Sequence, residues 1–150
     1  MDSSFAAYLD KVRAQRAELR ESVAAVDTAL ASPVARGGAW RERVRAALAE
    51  LSHDFADHID LTEAPGGLHD SVRSCDPRLT SAVDRLTNEH VEYREAIVAY
   101  LNVLEHGGTM ADLPVFRNEV GALVGRLVRH RERGGDLVYE SLHVDLGGSD

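Results

Sequence analysis

Apolar residues recur along this chain at alternating steps of four and three, the rhythm that places one buried stripe on a helix. Four long stretches carry it. The first runs from about Ser4 to Ala31, with Phe5, Leu9, Val12, Arg16, Leu19, Val23, Val26 and Leu30 on its stripe. Ser3 or Ser4 can cap its start, and Ser32-Pro33 followed by Gly37-Gly38 ends it. The second runs from about Ala39 to Glu63 on Val44, Leu48, Leu51, Phe55, His58 and Thr62, and Pro65 stops it. Leu68 to Cys75 reads as a looser segment with one turn of helix. The third stretch opens with Asp76 as cap and Pro77 in the first helical position, and continues on Leu79, Val83, Leu86, His90, Tyr93, Ile97, Tyr100 and Leu104 to a stop at Gly107-Gly108. The fourth, from about Asp112 to Val144, uses Phe116, Val120, Leu123, Leu127, His130, Gly134, Leu137, Ser141 and Val144. Similar lengths and short connections predict an all-α fold, an antiparallel up-down-up-down four-helix bundle forming one domain over residues 1–150.

Composition narrows the function. The chain is 44 % hydrophobic and 28 % charged over 150 residues, enough to bury a real core. Its formal net charge of -8 opposes a phosphate backbone. The best candidate for a basic patch, Arg126, Arg129, Arg131 and Arg133, is interrupted by Glu132 and Asp136 and reads as a solvated helix face, so no nucleic-acid partner is expected. No apolar run suits a membrane, and Met1 to Phe5 lacks a secretory pattern, so a cytoplasmic protein is expected. Cys75 is the sole cysteine and has no electropositive neighbour to activate it. One lysine among many arginines suggests a GC-rich bacterial genome. No Ser-His-Asp signature, P-loop or dinucleotide fingerprint is present. His69, His106 and His143 fall near predicted loops or helix ends, where solvent is expected to satisfy them. Tyr93 and Tyr100 read as core aromatics.

The stripes are interrupted, and the interruptions fall at similar heights. At a rise of about 1.5 Å per residue, Arg16, His90 and His130 are nearly level in an antiparallel arrangement, with His58 close by. A single core histidine is ordinarily a satisfied packing residue. Three at one level need their ring nitrogens bonded to something, and imidazole suits iron, zinc, copper and nickel.

This pattern resembles bacterial hemerythrin-like domains, also called HHE cation-binding domains. His58 in His-Ile-Asp-Leu-Thr-Glu is similar to the family's helix-two histidine, His90 in Asn-Glu-His-Val-Glu-Tyr to its helix-three histidine, with Glu89 before it, and His130 in Leu-Val-Arg-His-Arg-Glu to its helix-four histidine. The resemblance covers most of the chain. It implies a four-helix bundle with non-haem iron in the core and oxygen, peroxide or nitric oxide chemistry or sensing. Three positions depart from it. Arg16 stands in place of the helix-one histidine, Thr62 in place of the helix-two glutamate, and Gly134 in place of the helix-four carboxylate. The carboxylates that would bridge two ions are gone, and a permanent cation has entered.

Two hypotheses follow. In the first, His58, His90 and His130 hold iron, in a mono- or dinuclear site, or zinc, with Glu63 or water completing the shell. Glu63 lies one residue past the family position, where a bent helix end can turn it inward. Asp136 could be re-aimed by a local bulge, and Glu140 lies farther along. In the second, the metal is lost. Arg16, paired with Glu63 or Glu89, and the histidines then form a polar network that binds an anion or small molecule in the space beside Gly134. A haem or flavin pocket is a weaker third. Gly121 and Gly125 permit close helix approach or a homodimer contact, so the chain is expected as a monomer or homodimer.

Overall fold

A computed structural model of the chain describes residues 3–34, 37–106 and 112–147. Among these residues the protein is all-helical. It consists of α1 (Ser3–Ala31), α2 (Gly37–Thr62), α3 (Leu68–Cys75), a 3-10 turn (Pro77–Leu79), α4 (Thr80–Glu105) and α5 (Leu113–Leu142). The four long helices coincide with the four apolar stripes. Each packs against two others, α1 on α2, α2 on α4, α4 on α5, and α5 back on α1.

The ends follow local chemistry. The Asp112 carboxylate accepts from the Val115 N–H at 3.2 Å, the expected cap of α5. Asp76 also caps, accepting from the Arg78 N–H at 3.2 Å, but it starts the 3-10 turn rather than the long helix itself. Helix α5 stops at Leu142, two residues before the expected end. His143 there takes a left-handed φ of 56°, and its N–H bonds to the Tyr139 carbonyl at 3.0 Å. The glycine stop at Gly107-Gly108 lies outside the described residues, as does anything capping α1 from before Ser3. No helix among the described residues is long and apolar enough to cross a membrane.

Leu68 to Cys75 is more regular than its sequence suggests. It forms two turns of helix that bury Leu68, His69 and Val72. Tyr8 fixes the turn leading into it, donating to the Leu61 carbonyl at 2.7 Å and accepting from the Leu68 N–H at 2.9 Å. Gly67 is required there, because a Cβ would lie 2.8 Å from the Tyr8 hydroxyl and 2.8 Å from the Ala64 carbonyl.

The core falls into two apolar clusters. One gathers Leu19, Leu48, Leu51, Phe55, Tyr93, Ile97, Leu123 and Leu127 with their neighbours. The other gathers Leu9, Val12, Leu68, Val72, Val83 and Val138, closed by Val144 and Leu146 from the C-terminal segment. Arg16 lies between Val12 and Leu19, His90 between Val83 and Tyr93, and His130 between Leu127 and Val138. His58 follows Phe55. A buried polar layer therefore separates the clusters on all four long helices.

Leu48 has no exposed surface. Leu48→Ala should lower the unfolding free energy by about 2–5 kcal/mol. Val98→Ala, at an exposed site, should change it by less than about 0.5 kcal/mol. Urea denaturation followed by circular dichroism measures both.

Candidate metal centre

Three helices supply one histidine each to the polar layer. His58 of α2, His90 of α4 and His130 of α5 are all buried, His90 to 1 % exposure. Their ligand atoms lie within 4.8 Å of one another. His130 Nε2 is 3.1 Å from His90 Nε2 and 3.3 Å from His58 Nε2. Phe55 sits against all three rings, stacked on His58 at 5.6 Å between centroids and edge-on to the other two.

The outer nitrogens decide the proton positions. His90 Nδ1 faces Glu63 Oε2 at 2.5 Å, and His130 Nδ1 faces Glu89 Oε1 at 2.9 Å. A carboxylate accepts, so both Nδ1 atoms carry hydrogen. In the neutral rings both Nε2 atoms then present lone pairs, aimed at each other across 3.1 Å. Two lone pairs cannot form a hydrogen bond. Either a proton or another cation must lie between them.

Burial opposes the proton. It pushes the His90 and His130 values below the ordinary range, although Glu63 and Glu89 pull them upward. His58 is pushed well below 6.5 by burial, then by its histidine neighbours and Arg16. A metal ion satisfies the same atoms without charging a ring. Nitrogens about 2.0–2.1 Å from one ion lie roughly 2.9–3.4 Å apart for right-angled to tetrahedral arrangements. The donor set and its two observed separations fit that range, and a carboxylate on the outer nitrogen is the usual support of a metal-bound histidine.

Glu89 anchors the network. It also receives Arg133 on both carboxylate oxygens and the Tyr93 hydroxyl at 3.1 Å. Burial pushes the Glu89 carboxyl up, but bonds from His130 and Arg133 outweigh this and hold it below its usual range. Arg133 is thus not on the solvated basic face expected of it. Arg131 also turns partly inward.

The remaining sequence candidates fall as follows. Glu63 meets the outer nitrogen of His90, on the opposite side of the ring from the converging atoms. Thr62 spends its hydroxyl on the His58 carbonyl at 2.8 Å. Asp136 and Glu140 are exposed and outside the layer. Arg16 is buried, but Glu63 and Glu89 pair with His90, His130 and Arg133 rather than with it. The expected Arg16 ion pair is therefore not formed. Gly134 lines a cavity beside His58 and His130, whereas it is Gly135 that makes room for the Arg16 guanidinium.

His69 overturns an expectation. It is buried rather than solvated, stacked on His90 with centroids 5.3 Å apart, and its Nδ1 meets the Thr87 hydroxyl at 3.0 Å. Its signal was local: Leu68 and His69, with Val72 three to four residues on, share one face of a short helix. His106 and His143 are exposed as expected.

Comparison with family models, curated proteins and solved structures finds no match for this chain.

Burial, then the neighbouring His90, lowers His69 from 6.5 to about 4. Between those values the unfolded chain binds more protons than the folded one, so stability is full above pH 6.5 and falls as the pH drops toward about 4. His69→Phe in chelator-treated protein should flatten this loss by one proton's slope, read from urea midpoints across that interval. An unchanged slope would remove His69 from the groups responsible.

Proposed function

We propose that the chain is a hemerythrin-like four-helix bundle that binds one transition-metal ion through His58, His90 and His130. The carrying observation is the convergence of three Nε2 atoms from three helices, two of them with their tautomers set by carboxylates. The up-down-up-down path is supported by contacts between opposite helix ends. Arg41, early in α2, donates to the Leu104 carbonyl at the end of α4, at 3.0 Å. Arg117, early in α5, reaches the Ser32 carbonyl just past α1, at 2.9 Å. Arg13, early in α1, reaches the Asp145 carbonyl just past α5, at 3.1 Å.

A single ion is favoured over two. Among the described residues no carboxylate faces the Nε2 atoms, since Glu63 and Glu89 both serve outer nitrogens. Two cations with nothing to bridge them would repel strongly in a buried layer that already contains Arg16. The ion would supply Lewis acidity or, as iron, redox chemistry toward oxygen, peroxide or nitric oxide. The protein's own groups orient the rings through Glu63 and Glu89, cover one side with Phe55, and shield the layer from water.

Elemental mass spectrometry of freshly purified protein should find about one equivalent of iron or zinc. His90→Ala and His130→Ala should abolish it, and Glu89→Gln should weaken binding roughly 10–100-fold. Less than about a tenth of an equivalent after anaerobic reconstitution with iron, zinc or manganese would sink the proposal. Two equivalents of iron would leave the fold assignment standing and overturn the single-ion site.

A further inference from the structure

Among the described residues, Arg16 is the arginine buried within the layer. It is 7 % exposed, and its Nε has no hydrogen-bond partner. Among the described residues no carboxylate lies within ion-pair distance of its guanidinium. Burial, then the positive charge of Arg131, lowers it to about 10, opposed by Asp145. Asp145 is itself exposed, and its carboxylate accepts from the Gly147 N–H at 2.7 Å. An uncompensated buried charge is among the costliest features a fold can hold.

The guanidinium lines a cavity. So do Arg131, a second cation, and His58, whose Nδ1 also has no partner. The rest of the wall is largely apolar, from Gly134 and leucine and valine side chains of α3, α4, α5 and the C-terminal segment. The free space is about 30 Å³. One water needs roughly 10–15 Å³ on this measure, so the space admits two or three heavy atoms. Gly134 keeps it open, and Gly135 makes room for the Arg16 guanidinium. A Cβ on Gly135 would lie 3.2 Å from an Arg16 terminal nitrogen, and a side chain on Gly134 would enter the cavity, meeting only Leu86 at 3.9 Å.

We propose that this cavity is a binding site for a small monovalent anion of two or three heavy atoms, held by Arg16. Water could satisfy the unpartnered nitrogens but not the charge. Phosphate and sulfate, with five heavy atoms, exceed the space. The inference stands on Arg16, Gly134, Gly135 and the cavity, and does not depend on the histidines holding a metal.

The test uses the full chain, stripped of metal and verified so, at neutral pH with azide and nitrite as probes. Chloride and sulfate at matched ionic strength are the controls. Azide and nitrite should raise Tm saturably, beyond both controls, as a ligand of the folded state does. The Arg16 Nε–H resonance of ¹⁵N-labelled protein should shift with the same midpoint. Arg16→Met should weaken binding at least tenfold while raising the anion-free Tm, because it removes an uncompensated buried charge. Gly134→Ala, which fills space without touching Arg16, should weaken binding at least fivefold with its helical signal intact, and it decides the matter should Arg16→Met not fold. Stabilisation no greater than with chloride, an Arg16 resonance that does not move, or unchanged affinity in a folded Arg16→Met or in Gly134→Ala would each overturn the site.

Discussion

The polar layer depends on two hydrogen bonds on the outer edge of two rings. Glu63 on His90 and Glu89 on His130 fix which nitrogen of each imidazole carries hydrogen, and so fix what the inner nitrogens can do. Without the carboxylates either ring could flip its tautomer and donate to the other, and the cluster would be an ordinary hydrogen-bonded packing motif. With them, lone pairs meet at 3.1 Å in a place where burial disfavours protonation. Phe55 packs against all three rings.

That layer also organises the fold. It interrupts each long helix between apolar residues of one cluster and apolar residues of the other, so the two clusters pack as separate units. One side is packed mainly from the long helices, with Val34 of the α1–α2 connection against it. The other is sealed by α3 and by Val144 and Leu146, which is why a short helix and a C-terminal segment matter to residues far from them in sequence. Glu89 links the layer to the surface through Arg133 and Tyr93, and its charge is compensated there rather than by Arg16.

Much of this was legible in the sequence. The four long helices follow from the apolar rhythm, and His58, His90, His130 and Arg16 announce themselves by interrupting it at matched heights. What escaped are contacts that no single stripe encodes. Glu89 sits one position off its stripe, and its role appears only when α5 brings His130 and Arg133 alongside. Arg133 looked solvated because a run of charges hides which one faces a neighbour. His69 lies on a helix too short for periodicity to speak strongly. Gly134 drew notice as the stripe position, yet the next residue, Gly135, carries the close contact to Arg16, because a long guanidinium reaches past the level of its own Cα.

Charge balance ties the metal proposal to the anion site without making either a condition of the other. Glu63 and Glu89 offset Arg16 and Arg133 in number, but not in place. Both carboxylates sit on outer nitrogens and Arg133 also takes Glu89, so among the described residues neither pairs with Arg16, and the attraction of Asp145 comes from an exposed carboxylate. A divalent ion among the Nε2 atoms would add positive charge beside this already uncompensated cation. At an effective dielectric of about 20, two unit charges about 8 Å apart interact by roughly 2 kcal/mol, a sizeable fraction of a marginal fold's stability. Repulsion of this kind weighs against a second ion in the proposed site and favours negative charge in the adjoining cavity. A second ion would require a carboxylate to replace Arg16, Thr62 or Gly134, the three positions at which this chain departs from the pattern it otherwise resembles.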